Sequence, residues 1–139
     1  MGQEELIVEF AKEELMPLVD HHGFQPPTVT ADRGATQIDF LSEEIAVEIE
    51  FDWRDFDVFV LIVRLEGGRL PGGYYVSEGK ECRKHLREIL CERGWAVSSA
   101  HESSAENPSE GRLRARIVAQ KEDLLSHIDD MLSLGEALF

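Results

Sequence analysis

Ile45-Ala46-Val47-Glu48-Ile49-Glu50-Phe51-Asp52 puts a large apolar side chain at every odd position and mostly an acid at every even one. Side chains of a strand point to alternate faces, so this octet reads as a strand with one buried face. Its neighbours continue the pattern, Ile38 and Phe40 before it and Val58, Val60 and Ile62 after it. If residues 41–44 form the first turn, Phe40 pairs with Ile45 and Ile38 with Val47. If residues 52–55 form the second, Phe51 pairs with Phe56, Ile49 with Val58, Val47 with Val60 and Ile45 with Ile62. Both registers gather the apolar residues on one face, whereas a slip of one residue would turn them all to water. The middle of the chain is therefore a β-meander.

Outward from the meander, Ile7, Phe10, Ala11, Leu15 and Leu18 recur at helical spacing and predict a helix over residues 3–20, its last turn kinked by Pro17. Gly23 stops it and Phe24 follows; Gly94 and Trp95 repeat that arrangement after a second helix predicted over residues 79–93. An extended stretch at residues 28–31 leads into a turn at Asp32-Arg33-Gly34, and the Pro- and Gly-rich residues 66–75 form a loop. Beyond the second helix, residues 97–101 read as a strand, 102–110 as a polar hairpin loop and Arg112-Leu113-Arg114-Ala115-Arg116-Ile117 as its partner strand. A last helix over residues 121–134 presents Leu124, Leu125, Ile128, Met131 and Leu132, and the apolar tail 134–139 can dock beside it. The expectation is one α+β domain spanning residues 1–139. Its mostly antiparallel sheet, the meander plus a second hairpin, carries helices on one face in the order α-β-β-β-β-α-β-β-α.

The 139 residues are enough to bury a core without staples. Cys82 and Cys91 fall nine apart on the predicted second helix, on opposite sides, so they cannot bridge. The longest apolar run, residues 58–63, is a strand's length and not a membrane span, and the acidic start lacks the apolar core of a signal peptide. A cytoplasmic location is expected. The formal net charge is −14, and residues 1–79 carry most of it, with 17 acids against 5 Lys and Arg. Such a field repels nucleic acid and anionic membranes and steers a basic partner.

Chemistry-bearing motifs are sparse. Gly79-Lys80-Glu81 lacks the upstream glycine and the hydroxyl of a phosphate loop, and no Gly-x-Ser-x-Gly elbow occurs. Cys82, Cys91 and the five histidines do not fall into zinc-ligand spacing, so neither a metal nor a cofactor is expected. Two catalytic arrangements stand as alternatives: Cys82 three residues before His85 on one helix, and Glu50 with Asp57 as cross-strand neighbours. Arg112, Arg114 and Arg116 are placed to offset carboxylates across the sheet.

The outer face of the meander carries a different signal. Ala46, Phe59, Leu61 and Val63 form an apolar strip among Asp39, Glu48, Glu50 and Asp57, the composition of a protein-binding surface. Trp53 and Arg54 sit in the turn beside it, and both types are enriched at binding hot spots. The expected partner-binding set is Trp53, Arg54, Phe59, Leu61, Glu48, Glu50 and Asp57, with no catalytic residue. In size, charge and layout the chain resembles the immunity proteins that neutralise basic bacterial toxins, often nucleases. The resemblance implies a non-catalytic acidic domain that occludes a basic protein partner. A homodimer closed through the apolar strip is the alternative, and a small enzyme is the third class.

Overall fold

In a computed structural model that describes residues 2–72, 75–77, 79–95 and 109–139, the chain is an antiparallel sheet with its helices on one face. The expected α+β class is what the chain adopts. Two helices open it, α1 (Gln3–Glu14) and α2 (Pro17–His22), broken where Pro17 stands at the first position of the second. Four strands follow, β1 (Thr28–Asp32), β2 (Ala35–Leu41), β3 (Ile45–Asp52) and β4 (Asp57–Arg64). Short strands β5 (Val76–Ser77) and β6 (Lys80–Glu81) pair with each other, and β7 (Arg83–His85) joins the main sheet, whose order is β1-β2-β3-β4-β7. Helices α3 (Leu86–Arg93) and α4 (Glu110–Leu134) and a 3-10 turn (Gly135–Leu138) complete the chain.

Both meander registers are displaced by two residues from the sequence expectation. Phe40 faces Val47 and Ile38 faces Ile49; Phe51 faces Val58 and Ile49 faces Val60. Asp52 is the last residue of its strand, opposite Asp57, rather than the first of the turn. Its carboxylate accepts the amides of Arg54 and Asp55, at 3.0 and 3.1 Å, and so shapes the turn from its edge. Phe56 closes that turn with φ of 52°, a left-handed conformation uncommon outside glycine. A displacement of two is even, so every side chain keeps its expected face.

The inner face, with Ile38, Phe40, Ile45, Val47, Ile49, Phe51, Val58, Val60 and Ile62, forms one core with Ile7, Ala11, Leu15 and Leu18 and with residues of α3 and α4. Gly23 and Gly94 end their helices at φ of 76° and 68°. Each turns the next aromatic back, so that Phe24 N–H bonds Leu18 O at 3.1 Å and Trp95 N–H bonds Leu90 O at 2.9 Å.

Two elements differ from expectation. Arg112 to Ile117 is not a strand but the start of α4, where Ser109 Oγ accepts the Arg112 amide at 3.1 Å. Leu113, Ile117, Leu124, Ile128 and Met131 are its buried stripe, a helical period that overrides the two-residue alternation of the arginines. The second predicted helix begins at Leu86, because residues 83–85 are drawn out to pair with β4. β7 reaches only as far as Leu61, and the amide of Gln120 serves β4 beyond it. Gln120 Oε1 accepts Val60 N–H at 3.1 Å and its Nε2 donates to Val58 O. The expected strand at 97–101 and most of the 102–110 loop lie outside the described residues.

Candidate functional site

Cross-strand rows on the outer face place Asp39, Glu48, Leu61 and His85 side by side on β2, β3, β4 and β7. The next row toward the Trp53 turn is Gln37, Glu50 and Phe59, and the row on the other side is Leu41, Ala46, Val63 and Arg83. This face is not an open strip. The segment after β4 folds back over it, burying Ala46, Val63 and Leu65 beside Leu70. Arg83 ties that segment down by donating to the Gly72 carbonyl, and the Tyr75 ring stacks on His85 at 6.0 Å.

Beneath this cover lies a buried polar cluster. Arg83 forks onto Glu48, Nε to Oε1 at 3.2 Å and Nη2 to Oε2 at 3.3 Å. Gln37 Nε2 donates both to Asp39 Oδ2 at 2.9 Å and to Glu48 Oε2 at 3.0 Å. Burial pushes the Asp39 carboxyl up to about 7, helped by its hydrogen bond to Glu48 and by that residue's charge; Gln37 and Arg83 oppose the rise. Asp39 thus keeps its proton far above the ordinary carboxylate range, beside the Glu48 carboxylate that Arg83 pairs. Glu50 is also raised, first by burial and then by the charge of Glu48.

A carboxyl with a higher pKa folded than unfolded holds its proton more tightly in the native state. The Asp39 contribution is therefore complete below its ordinary 3.8 and is lost as pH rises to about 7. Asp39→Asn keeps the shape and stays neutral, so its stability relative to the parent should improve steadily between those limits and be flat outside them. Urea unfolding across the pH series checks this. A constant difference would show an ordinary carboxylate at position 39.

The expected partner-binding residues divide sharply. Glu48 and Leu61 are buried, at 2% and 0% exposure, and so are out of reach of a partner. Trp53 folds over the sheet edge, stacked on Phe51 at 5.0 Å with its Nε1 donating to Thr36 Oγ1 at 2.9 Å. Asp57 is half-buried and lies 2.9 Å from Arg116 Nε, an ion pair without hydrogen-bond alignment. Arg116 thus offsets a carboxylate as expected, but from a helix. Arg54 is exposed, while Glu50 and Phe59 are half-buried at the open end of the face.

The catalytic alternatives do not assemble. Cys82 is buried just before β7 and His85 lies three residues on, so along extended chain they take opposite faces. His85 Nε2 meets the Tyr75 hydroxyl at 3.3 Å instead. Glu50 sits opposite Phe59 and Asp57 opposite Asp52, so the two expected neighbours are not a pair. Among the described residues no group of three or more His, Cys, Asp or Glu is arranged to hold a metal ion.

What the structure does assemble is a concave surface around Phe59. One hollow of about 350 Å³ runs from Phe59 past Glu50, Asp52 and Asp55 to Arg33 and Arg54. A second, of about 410 Å³, lies where β7 stops short and is lined by Phe59, His85, Glu88, Cys91 and Arg116 among others. Phe59 is the wall between them, its ring edge-on to His85 at 5.7 Å. Sequence reasoning named Phe59 and Glu50 for this surface, missed Asp55, and singled out His85 only as a neighbour of Cys82; the turn geometry and the short β7 bring both to this rim. No family model matches the sequence, and no curated protein or solved structure matches it either. Among the described residues no helix is long and apolar enough to cross a membrane.

Proposed function

We propose that the protein is a non-catalytic binding domain that occludes a basic protein partner, in the manner of an immunity-type neutraliser of a basic toxin or nuclease. The observation that carries this reading is Phe59, a half-buried aromatic between two hollows with Glu50, Asp52 and Asp55 along one of them. An aromatic anchor with a charged rim is the usual layout of a protein-binding hot spot. The net charge of −14 adds long-range steering of a cationic partner. Asp52 is committed to shaping its turn, which leaves Glu50 and Asp55 as the acids that meet the partner.

The test is affinity capture from native lysate at low and moderate salt, comparing the parent with Phe59→Ala and with Glu50→Lys plus Asp55→Lys. The expected result is one basic protein retained by the parent, released by salt, and bound at least roughly tenfold more weakly by both variants. A partner retained equally by all three chains would remove this surface from the reading. A dimer by light scattering, dissociated by Phe59→Ala, would transfer the surface to self-association.

A further inference from the structure

We infer that the open edge of β1 is a strand-addition site for an extended, basic segment of a partner protein. β1 is the outermost strand of the sheet, and all five of its residues are exposed. An edge strand presents a row of N–H and C=O groups to solvent, and proteins usually blunt such edges with Lys, Pro or a bulge. Thr28-Val29-Thr30-Ala31-Asp32 has neither Lys nor Pro, and it pairs with β2 residue for residue, without a bulge. Among the described residues, these five make no backbone hydrogen bond outside the sheet.

A groove beside this edge gives the site its chemistry. Val29 and Ala31 lie on the helix side of the strand, opposite Ile38 and Thr36. They line, with Val8 of α1, a hollow of about 460 Å³ that leaves Val29 45% exposed. Glu4, Glu5 and Glu9 line the same hollow, and Lys12, the one cation among its described lining residues, is already bonded to Glu9 at 3.1 Å. A strand laid on β1 places every second side chain over this floor, where apolar residues fit. Its lysines and arginines reach the glutamates. Charge selects the occupant: a second copy would bring the same three glutamates and another −14 to the edge, whereas a basic segment neutralises them. The site is separate from Phe59, which lies on the other face of the sheet three strands away.

The probe is a fluorescein-labelled peptide of about ten residues, strand length with overhang, alternating valine and lysine and blocked at both ends. It is titrated into the full chain by anisotropy at low salt, with amide exchange of β1 read in parallel. Saturating peptide should slow exchange in residues 29–31 by roughly tenfold or more. Val29→Lys should weaken binding at least roughly tenfold, and Glu5→Gln with Glu9→Gln several-fold. Glu122→Gln with Asp130→Asn removes the same charge from exposed positions of α4 and should leave the affinity within about twofold. Binding that ignores Val29→Lys, or that leaves β1 exchange unchanged, would overturn the assignment. So would a concentration-dependent dimer lost in Val29→Lys, which gives the edge to a second copy. Should Val29→Lys fail to fold by circular dichroism, the glutamate pair and the exchange data decide. The assay involves neither Phe59 nor a lysate partner, so its failure is distinct from failure of the proposed function.

Discussion

Arg83→Leu is expected to cost about 3–5 kcal/mol of folding stability, the range for breaking a buried ion pair on one side only. Arg83 and Glu48 are 6% and 3% exposed at their side chains, so removing the guanidinium leaves a carboxylate with no water to take its place. Two neighbours make the loss worse. Asp39 already shares the site and cannot accept a second negative charge beside it, and the Gly72 carbonyl loses its donor, which loosens the segment over the outer face. Pairing the change with Glu48→Leu should recover much of the loss, since two packed apolar side chains can replace a buried pair. Urea unfolding of the single and double variants measures each step. A single-variant cost below about 1 kcal/mol would place the pair in the class of solvent-screened surface bridges.

Leu61→Ala should be the second large effect, about 2–5 kcal/mol, as for other fully buried leucines. The prediction separates two pictures of the same residue. As a partner contact on an open strip, Leu61 would tolerate truncation within about 0.5 kcal/mol and only binding would suffer. With 0% exposure, between Glu48 and His85 on the covered face, it leaves a cavity that the rigid β3-β4-β7 frame closes poorly. Thermal and urea unfolding of Leu61→Ala beside Phe59→Ala make the comparison, and the half-buried Phe59 should lose less per atom removed. Equal, small losses at both positions would mean that the outer face is wet.

The meander shows how far alternation carries. Ile45 to Asp52 determined a strand, a buried face and antiparallel neighbours, because period two is a local property. It left the register open by two residues. The faces are the same in either register, and the choice fell to the Asp52 carboxylate bonding the turn and to Phe56 entering the left-handed region. Arg112 to Ile117 shows the opposite case. Six alternating residues fit a strand, but Leu113 through Met131 fit a helix over a much longer span, and the longer period won. That signal was in the sequence, in the spacing of Leu113 and Ile117 to Leu124. The extended start at residues 83–85 had no local signal at all, since it forms to satisfy the open edge of β4.

The candidate surface divides along the same line. The sequence by itself determined the acidity, the outward direction of Phe59, Glu50 and Glu48, and the absence of a recognisable catalytic motif, since charge and alternation need no tertiary information. Only the tertiary structure decided which of those outward residues meet water. The segment after β4 covers Ala46 and Val63, Leu61 and Glu48 are interior groups, burial raises the Asp39 pKa, and Phe59 and Glu50 stay half-buried. Burial depends on what packs above a side chain, and Leu65, Leu70, Gly72 and Tyr75, which contribute to that layer, carry no pattern announcing where they will lie.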